Sequence, residues 1–314
     1  MKKIKVAVLA GGPSTEYEVS INSGKNVFRE IDRKKFEPSW AVLSKHSELK
    51  INGKKARFPE DLAGYDIVFN AMHGQFGEDG QVQAIFERVG IPFTGSGSVA
   101  SSLAMDKWAS FGIFKKAGLR VAPSQLLASS KTKLGKNLGW PVVLKPRNGG
   151  SSVGVEIVKS EKDLEKAVRR VFKFDSEVVA ESFVAGREFT CGVLEINGKL
   201  KALPVVEIRP KPKYKFFDYE AKYKTGATDE IVPAEIDTKL ASEIQSASLK
   251  AHRALKASVY SRSDFMWDGK KLFILELNTL PGMTKISLLP KAARAAKISF
   301  PKLIEIIIQS SLRK

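Results

Sequence analysis

Arg262-Ser263-Asp264 and, further along, Glu276-Leu277-Asn278-Thr279-Leu280-Pro281-Gly282-Met283-Thr284 decide how this chain is read. Side chains alternate faces along a strand, so Arg262 and Asp264 point one way together, as do Glu276 and Asn278 on the next. If those faces match across a hairpin, three hard oxygen ligands and a guanidinium converge. That set suits Mg²⁺ and a developing anion better than zinc, which favours nitrogen and sulfur. The plainer reading is a hairpin whose charges face water, but Glu276 sits in the apolar run Leu-Phe-Ile-Leu-Glu-Leu, where an unpaired carboxylate is costly. Register is the difficulty. A two-residue turn at Asp268-Gly269 pairs Trp267 with Lys270, sets Asp264 opposite Phe273 and turns Glu276 to the wrong face. Shared ligation calls for Arg262 opposite Glu276 and Asp264 opposite Ile274. The sequence therefore predicts a three-residue turn, Asp268-Gly269-Lys270, or an equivalent bulge.

Outward from that stretch, 314 residues at 43% hydrophobic can bury more than one core, so two or three domains are expected. The net charge of +18, from 52 Lys and Arg against 34 Asp and Glu, suggests anionic partners. The lysines are spread along the chain, and no helix-turn-helix, zinc-finger or RRM signature accompanies them, so no nucleic-acid partner is expected. Cys191 stands alone, which excludes an internal disulfide and a cysteine-based zinc cluster. The apolar run in Met1–Ala10 is too short for a signal peptide and reads as a first strand. With no run long enough to span a bilayer, no membrane partner and a cytoplasmic location are expected.

The first third alternates strands (Ile4–Ala10, Pro38–Leu43, Asp66–Asn70) with helices (Ser20–Ile31, Gln81–Val89), the pattern of a parallel sheet covered on both faces. Ligands of such sheets sit beyond the carboxyl ends of the strands, where Gly11–Glu16 and His73–Gly80 lie. A helix from about Val99 to Lys116 follows a turn-rich seam, Pro92–Gly97. Strands Pro141–Pro146, Val153–Val158 and Glu177–Phe183 with a helix Glu161–Phe172 read as a small α+β unit. The last third opens on strands Glu188–Ile196 and Leu200–Ile208 around an Asn197-Gly198 turn. A long segment, Pro210–Glu230, has the character of a lid. A helix Ile236–Leu255, the opening hairpin and two terminal helices complete the chain.

No Gly-x-x-x-x-Gly-Lys-Ser/Thr is present, so a P-loop is not expected. Lys145 instead ends an apolar strand before Gly149-Gly150-Ser151-Ser152-Val153-Gly154, a turn whose N–H groups can cradle phosphate, although glycine-rich hairpin turns are common for structural reasons alone. Lys107, on a helix, reads by itself as a solvated lysine. Glu181-Ser182-Phe183-Val184 and Glu188 could hold a planar base and its ribose, or simply connect two units. His73 is more often structural than catalytic in such a setting. Glu16 shares its address, where a carboxylate could hold an ammonium.

Together these segments resemble the D-alanine–D-alanine ligase family of the ATP-grasp superfamily, over nearly the whole chain. The resemblance rests on Gly11–Ser20, His73-Gly74 through Glu78-Asp79-Gly80, Thr94–Gly97, Met105-Asp106-Lys107, Lys145-Pro146 with Gly150–Gly154, Tyr219-Glu220-Ala221-Lys222-Tyr223, and the opening stretch. It implies a mixed α/β and α+β, three-domain ATP-grasp architecture: an N-terminal Rossmann-like parallel-sheet domain that binds substrate (1–96), a central ATP-grasp domain (97–184), and a C-terminal ATP-grasp and metal-binding domain (185–314). It implies Lys107, Lys145, Ser151 and Lys222 at the ATP phosphates. Glu181, Ser182, Phe183, Val184 and Glu188 would hold adenosine, and Asp264, Glu276 and Asn278 two Mg²⁺ or Mn²⁺ ions. The implied reaction joins two D-alanine molecules through a D-alanyl phosphate, with Glu16, Ser151, Tyr223, Arg262 and Gly282 catalytic. Glu16, His73, Ser287 and Leu288 would contact the amino acids, and a homodimer is expected. Related ligases that take D-lactate or D-serine, or another carboxylate–amine pair, are the alternatives; Tyr223 favours the dipeptide by resemblance. Two positions depart from the family's commoner pattern. Arg147-Asn148-Gly149 stands where an acidic residue is frequent, and Ser263 where a bulkier apolar one is usual.

Overall fold

The structure, a computed structural model, describes residues 2–211 and 228–313. The first sheet is built around β1 (Ile4–Gly11), whose Val6 to Ala10 are completely buried. β2 (Phe36–Leu43), β3 (Leu49–Ile51), β4 (Lys54–Ala56) and β5 (Ile67–Asn70) complete it in the order β4-β3-β2-β1-β5. β1 runs parallel to β2 and β5, as its unbroken apolar run requires. The expectation of a parallel sheet holds only for that centre. β3 and β4 form an antiparallel edge, closed by Asn52-Gly53 with both φ angles positive, the hairpin geometry favoured by strand twist. α1 (Tyr17–Glu30) starts three residues before the predicted Ser20 and covers one face. At Gly24 a Cβ would approach Ala10 Cβ to 2.7 Å, so glycine sets how closely α1 lies on β1. α2 (Gln81–Val89) matches its predicted bounds.

The predicted single helix from Val99 to Lys116 is two helices, α3 (Ser98–Met105) and α4 (Lys107–Lys116). Asp106 between them is extended (φ −79°, ψ 100°), and its carboxylate accepts from Ala109 N, capping α4. The second sheet contains β6 (Ser124–Leu127), β7 (Val142–Pro146), β8 (Glu156–Val158) and β9 (Val178–Ser182), all antiparallel in the order β6-β9-β7-β8. α5 (Glu161–Val171) packs Leu164, Ala167, Val168 and Val171 onto it. β8 is shorter than predicted because Ser151 and Ser152, both at positive φ, keep the glycine-rich segment a loop.

The third sheet has the order β13-β12-β10-β14-β15, with β11 also on β10. Its strands are β10 (Arg187–Ile196), β11 (Lys199–Ala202), β12 (Val206–Pro210), β13 (Thr228–Ile231), β14 (Tyr260–Trp267) and β15 (Leu272–Asn278). Asn197-Gly198 makes the predicted turn, joining Ile196 to Lys199. α6 (Thr238–Ala254), α7 (Leu288–Ala295) and α8 (Phe300–Ser311) cover the sheet. Leu303, Ile304, Ile307 and Ile308 of α8 share one core with Val6, Val8 and Phe69 of the first sheet. Each such buried side chain contributes about 2 kcal/mol, so the first and last thirds of the chain form one firm body. Phe111 and Phe114 of α4 likewise join Phe189, Phe265 and Ile274 of the third sheet. Among the described residues no helix is long and apolar enough to cross a membrane.

Candidate active site

The hairpin of β14 and β15 settles its register by a bulge. Near the turn Trp267 faces Leu272 and Phe265 faces Ile274; beyond it Asp264 faces Glu276 and Arg262 faces Asn278. The extra residue is Leu275. The turn spans 268–271, with Asp268 N bonded to Lys271 O, so it is neither the two-residue nor the three-residue form. The expected bulge is present, but the expected partners are each displaced by two. Packing explains it: Leu272, Ile274 and Leu277 are all buried, and strict alternation cannot put Ile274 and Leu277 on one face. One bulge satisfies that core and leaves Glu276 and Asn278 beside Asp264 and Arg262 on the other face.

On that face Asp264 accepts from Arg262 Nε and Nη2, both at 2.9 Å, and from Thr190 Oγ1 at 2.5 Å. Thr190 lies directly opposite Asp264 on β10 and was not anticipated, although alternation along β10 would have found it. Asn278 Oδ1 accepts from Leu280 N at 2.7 Å, which starts the Thr279–Thr284 loop. Two carboxylates and a carboxamide on one face are a hard-oxygen donor set that fits Mg²⁺ or Mn²⁺. Among the described residues no three of His, Cys, Asp and Glu gather as a metal cluster, so the carboxamide is needed to make up the set.

Two cavities meet here, and Lys107, Gly149, Gly150 and Glu276 line both. One, of about 550 Å³, takes in Glu16, His73, Ser151, Arg262 and Asn278, together with Gly282, Ser287 and Leu288. The other, of about 620 Å³, takes in Lys145, Glu181–Val184, Glu188 and Asp264. Both are of ligand size. Every predicted site residue within the described residues lines one or the other; Lys222 and Tyr223 lie outside the described residues.

In the first cavity the Ser151 hydroxyl bonds the Glu16 carboxylate, tying the glycine-rich loop to the start of α1. His73 Nε2 shares a hydrogen bond with Ser23 Oγ at 2.9 Å, and Ser23 Oγ accepts from Met283 N at 3.3 Å. Asn26 Nδ2 donates to Met283 O at 2.7 Å. One face of α1 thereby pins the Pro-Gly-Met loop. Glu78, quoted in the His73–Gly80 segment without a role, is buried in the same wall with its carboxylate 3.7 Å from His73 Nδ1. Ser287, at the N-cap position of α7 but with no side-chain bond to that helix, accepts from Thr284 N at 3.0 Å, and a Cβ at Gly282 would come within 2.9 Å of Ser287 Oγ. Glu230, at the wall of this cavity, pairs with Lys291 of α7, a contact with no local sequence signal.

The second cavity runs between the second and third sheets. Lys145 Nζ is 3.0 Å from Glu181 Oε1. Burial alone would lower the Lys145 pKa, but Glu181, with Glu276 and Glu188 behind it, holds it above the ordinary lysine value. Lys107 is buried, not the solvated lysine its helix position suggested, and its ammonium donates to Gly149 O at 2.5 Å. Ser182 N donates to Pro123 O and Phe183 N to Pro141 O, so both N–H groups are already used within the protein. Phe183 is 38% exposed at the wall. Cys191, within β10, is buried, and burial pushes its thiol up to about 12, which removes it as a nucleophile.

Two family models match the chain, the D-ala D-ala ligase N-terminus over residues 5–56 and 44–96, and the D-ala D-ala ligase C-terminus over 109–309. A D-alanine--D-alanine ligase of Clostridium beijerinckii is 43% identical over 314 residues, covering 99% of both chains. Among solved structures, the VanG D-Ala:D-Ser ligase of Enterococcus faecalis superimposes with a TM-score of 0.87 at 30% identity, over 99% of this chain and 100% of that one. The D-alanine--D-alanine ligase of Bacillus anthracis complexed with ATP gives 0.82 at 35% identity, over 99% and 98%.

Proposed function

The chain belongs to the D-alanine–D-alanine ligase family, and from that premise we propose that its two cavities divide one reaction, amino acids in the first and ATP in the second. The enzyme is an ATP-dependent ligase that joins two D-alanine molecules for peptidoglycan precursor synthesis. The observation that carries the assignment of roles is the meeting of the cavities at Lys107, Gly149, Gly150 and Glu276, where a γ-phosphoryl in one would reach a carboxylate in the other.

A carboxylate is a poor electrophile. Transfer of the γ-phosphoryl from ATP to the first D-alanine carboxylate releases ADP and gives D-alanyl phosphate, a step that depends on positioning and charge neutralisation. Lys145, Lys107 and the N–H groups of the Ser151 loop hold the phosphates. Ser182, Phe183 and Val184 take the adenine, and Glu181 and Glu188 its ribose side. Asp264, Glu276 and Asn278 would hold two Mg²⁺ or Mn²⁺ ions, which when bound neutralise phosphate charge. Glu16, oriented by Ser151, pairs with the first substrate's ammonium. The amine of the second D-alanine then attacks the acyl carbon, losing a proton and displacing phosphate. Arg262 and the Gly282 N–H stabilise the tetrahedral oxyanion, while Ser287 and Leu288, at the start of α7, receive the second carboxylate. His73 completes the wall beside the first amino acid, and Lys222 and Tyr223 are assigned to the closing lid by family alone. The units 1–96, 97–184 and 185–314, a cytoplasmic location and a homodimer belong to the same reading.

Phosphate release with ATP, Mg²⁺ and D-alanine tests it. D-alanine-dependent release with little from D-serine or D-lactate as second substrate is the expected result. Absence of D-alanine-dependent phosphate from folded protein overturns the assignment.

A further inference from the structure

We propose that Arg147 is a positioning residue for the ATP phosphates, clasping the start of α4 to the glycine-rich loop so that Lys107 is held across from it. Arg147 follows β7 directly. Its Nε donates to Asp106 Oδ1 at 3.0 Å and its Nη2 to Asp106 Oδ2 at 2.6 Å, while Nη1 donates to Glu177 Oε2 at 2.5 Å. Its backbone takes part as well: Arg147 O accepts from Lys107 N at 3.0 Å, and Arg147 N donates to Glu177 O at 3.1 Å. The acceptor Asp106 is itself the cap of α4.

These contacts join pieces that are buried mostly in different cores and meet in one only through Val179 of β9. α4 is buried with the third sheet through Phe111 and Phe114, whereas β7 and β9 are buried with α5 through Leu144, Val178 and Ala180. The clasp crosses between those two cores beside Lys107, Gly149 and Gly150, where the cavities meet. Its geometry is demanding, because a planar guanidinium forks onto one carboxylate and still reaches a second, an arrangement an ammonium cannot reproduce. Both partners are largely shielded, with side chains 27% and 18% exposed for Arg147 and Asp106. Ordinary surface pairs are screened and contribute little; this one is shielded enough to hold a geometry. Gly149 has no side chain to offer, and its carbonyl is what the Lys107 ammonium meets.

The proposal rests on the second cavity being the nucleotide site, and the test separates the two. Affinities for ATP and for adenosine are measured by competition, without D-alanine, for wild type, Arg147→Ala, Arg147→Lys, Asp106→Asn and the double variant Arg147→Ala with Asp106→Asn, alongside thermal unfolding. Asn caps a helix as well as Asp does, so Asp106→Asn removes the ion pair and keeps the cap. The expected result is a loss of ATP affinity of about tenfold in Arg147→Ala with adenosine affinity unchanged, as for one misplaced charge-assisted contact. Arg147→Lys recovers part of the loss, Asp106→Asn reproduces most of it, and the double variant is no worse than Arg147→Ala. Equal losses for ATP and adenosine, unchanged ATP affinity, or losses that multiply in the double variant overturn the proposal. A wild-type chain that binds no ATP removes the nucleotide reading, and the clasp's role with it.

Discussion

The two cavities share a floor but are held by different forces. The proposed amino-acid cavity is fixed mainly by neutral hydrogen bonds, Ser23 and Asn26 of α1 onto the Met283 loop and Thr284 onto Ser287, with one ion pair, Glu230 with Lys291, in its wall, within a body the first sheet and α8 pack into one core. The proposed nucleotide cavity lies between two sheets whose cores meet only at Val179 and is held by ion pairs, Lys145 with Glu181, Arg147 with Asp106 and Glu177, and Arg187 and Arg209 with Glu207. The difference teaches where charge is structural. In the proposed amino-acid cavity the Glu16 carboxylate accepts from the Ser151 hydroxyl, a bond that ties the glycine-rich loop to the start of α1. In the nucleotide cavity removing one charge strands another in a shielded place, which is destabilising by more than the pair contributes.

The largest expected effect strikes both cavities. Glu276→Gln should cut D-alanine-dependent phosphate release on the order of 10³-fold, because the residue lines both cavities and belongs to the proposed metal set. A variant that loses only amino-acid or only nucleotide binding would break the idea of a shared floor. Next, Lys145→Met and Glu16→Gln should separate the two walls. Lys145→Met leaves Glu181 without its ammonium and should lower unfolding free energy by about 3 kcal/mol in denaturant titrations. Glu16→Gln should cost under about 1 kcal/mol of stability yet raise the D-alanine requirement roughly 10-fold to 100-fold, as expected for loss of a charge-assisted contact. Equal stability losses would erase the contrast.

The smallest effect comes from a residue outside both cavities. His252 of α6 is buried, with Nδ1 2.7 Å from Ser261 Oγ, and burial, with some help from Arg253, lowers its pKa to about 4. Folded protein keeps the ring neutral while the unfolded chain protonates it first, so stability falls as pH drops from about 6.5 toward 4. Between pH 6.5 and 5 that loss should be about 1.5 kcal/mol in wild type and should vanish in His252→Asn, with substrate affinities unchanged. If His252→Asn changes ATP or D-alanine affinity, the support beneath β14 belongs to the site as well.

Much of this was legible beforehand because it is written in local pattern. The apolar run at Ile4–Ala10, the Asn197-Gly198 turn and the spacing of Val82, Ile85, Phe86 and Val89 each specify an element through contacts only a few residues apart. Asp106 was misread because an apolar-rich helix on either side hides a break that exists to place one cap. The β3–β4 edge carries its own Asn-Gly signal and was missed only by extending the strand–helix alternation too far. The Glu230–Lys291 pair gave no such signal, since its partners lie 61 residues apart, whereas Thr190 could have been found from the alternation of β10 and Glu78 lies only five residues from His73.

By itself the sequence determined the residue types of the site: carboxylates and a carboxamide on alternating positions, a lysine at a strand end before a glycine-serine loop, and the family to which they belong. It also made a shared face for Glu276 and Asp264 the expectation over a solvated hairpin, from the cost of burying Glu276 alone. Only the tertiary structure decided how. The choice between a longer turn and a bulge depends on Leu272, Ile274 and Leu277 all reaching one core, and that core is filled by α4 and α6, elements distant in sequence. The bulge at Leu275 is where that packing demand meets the alternation of the strand, and it sets Asp264 directly across from Glu276.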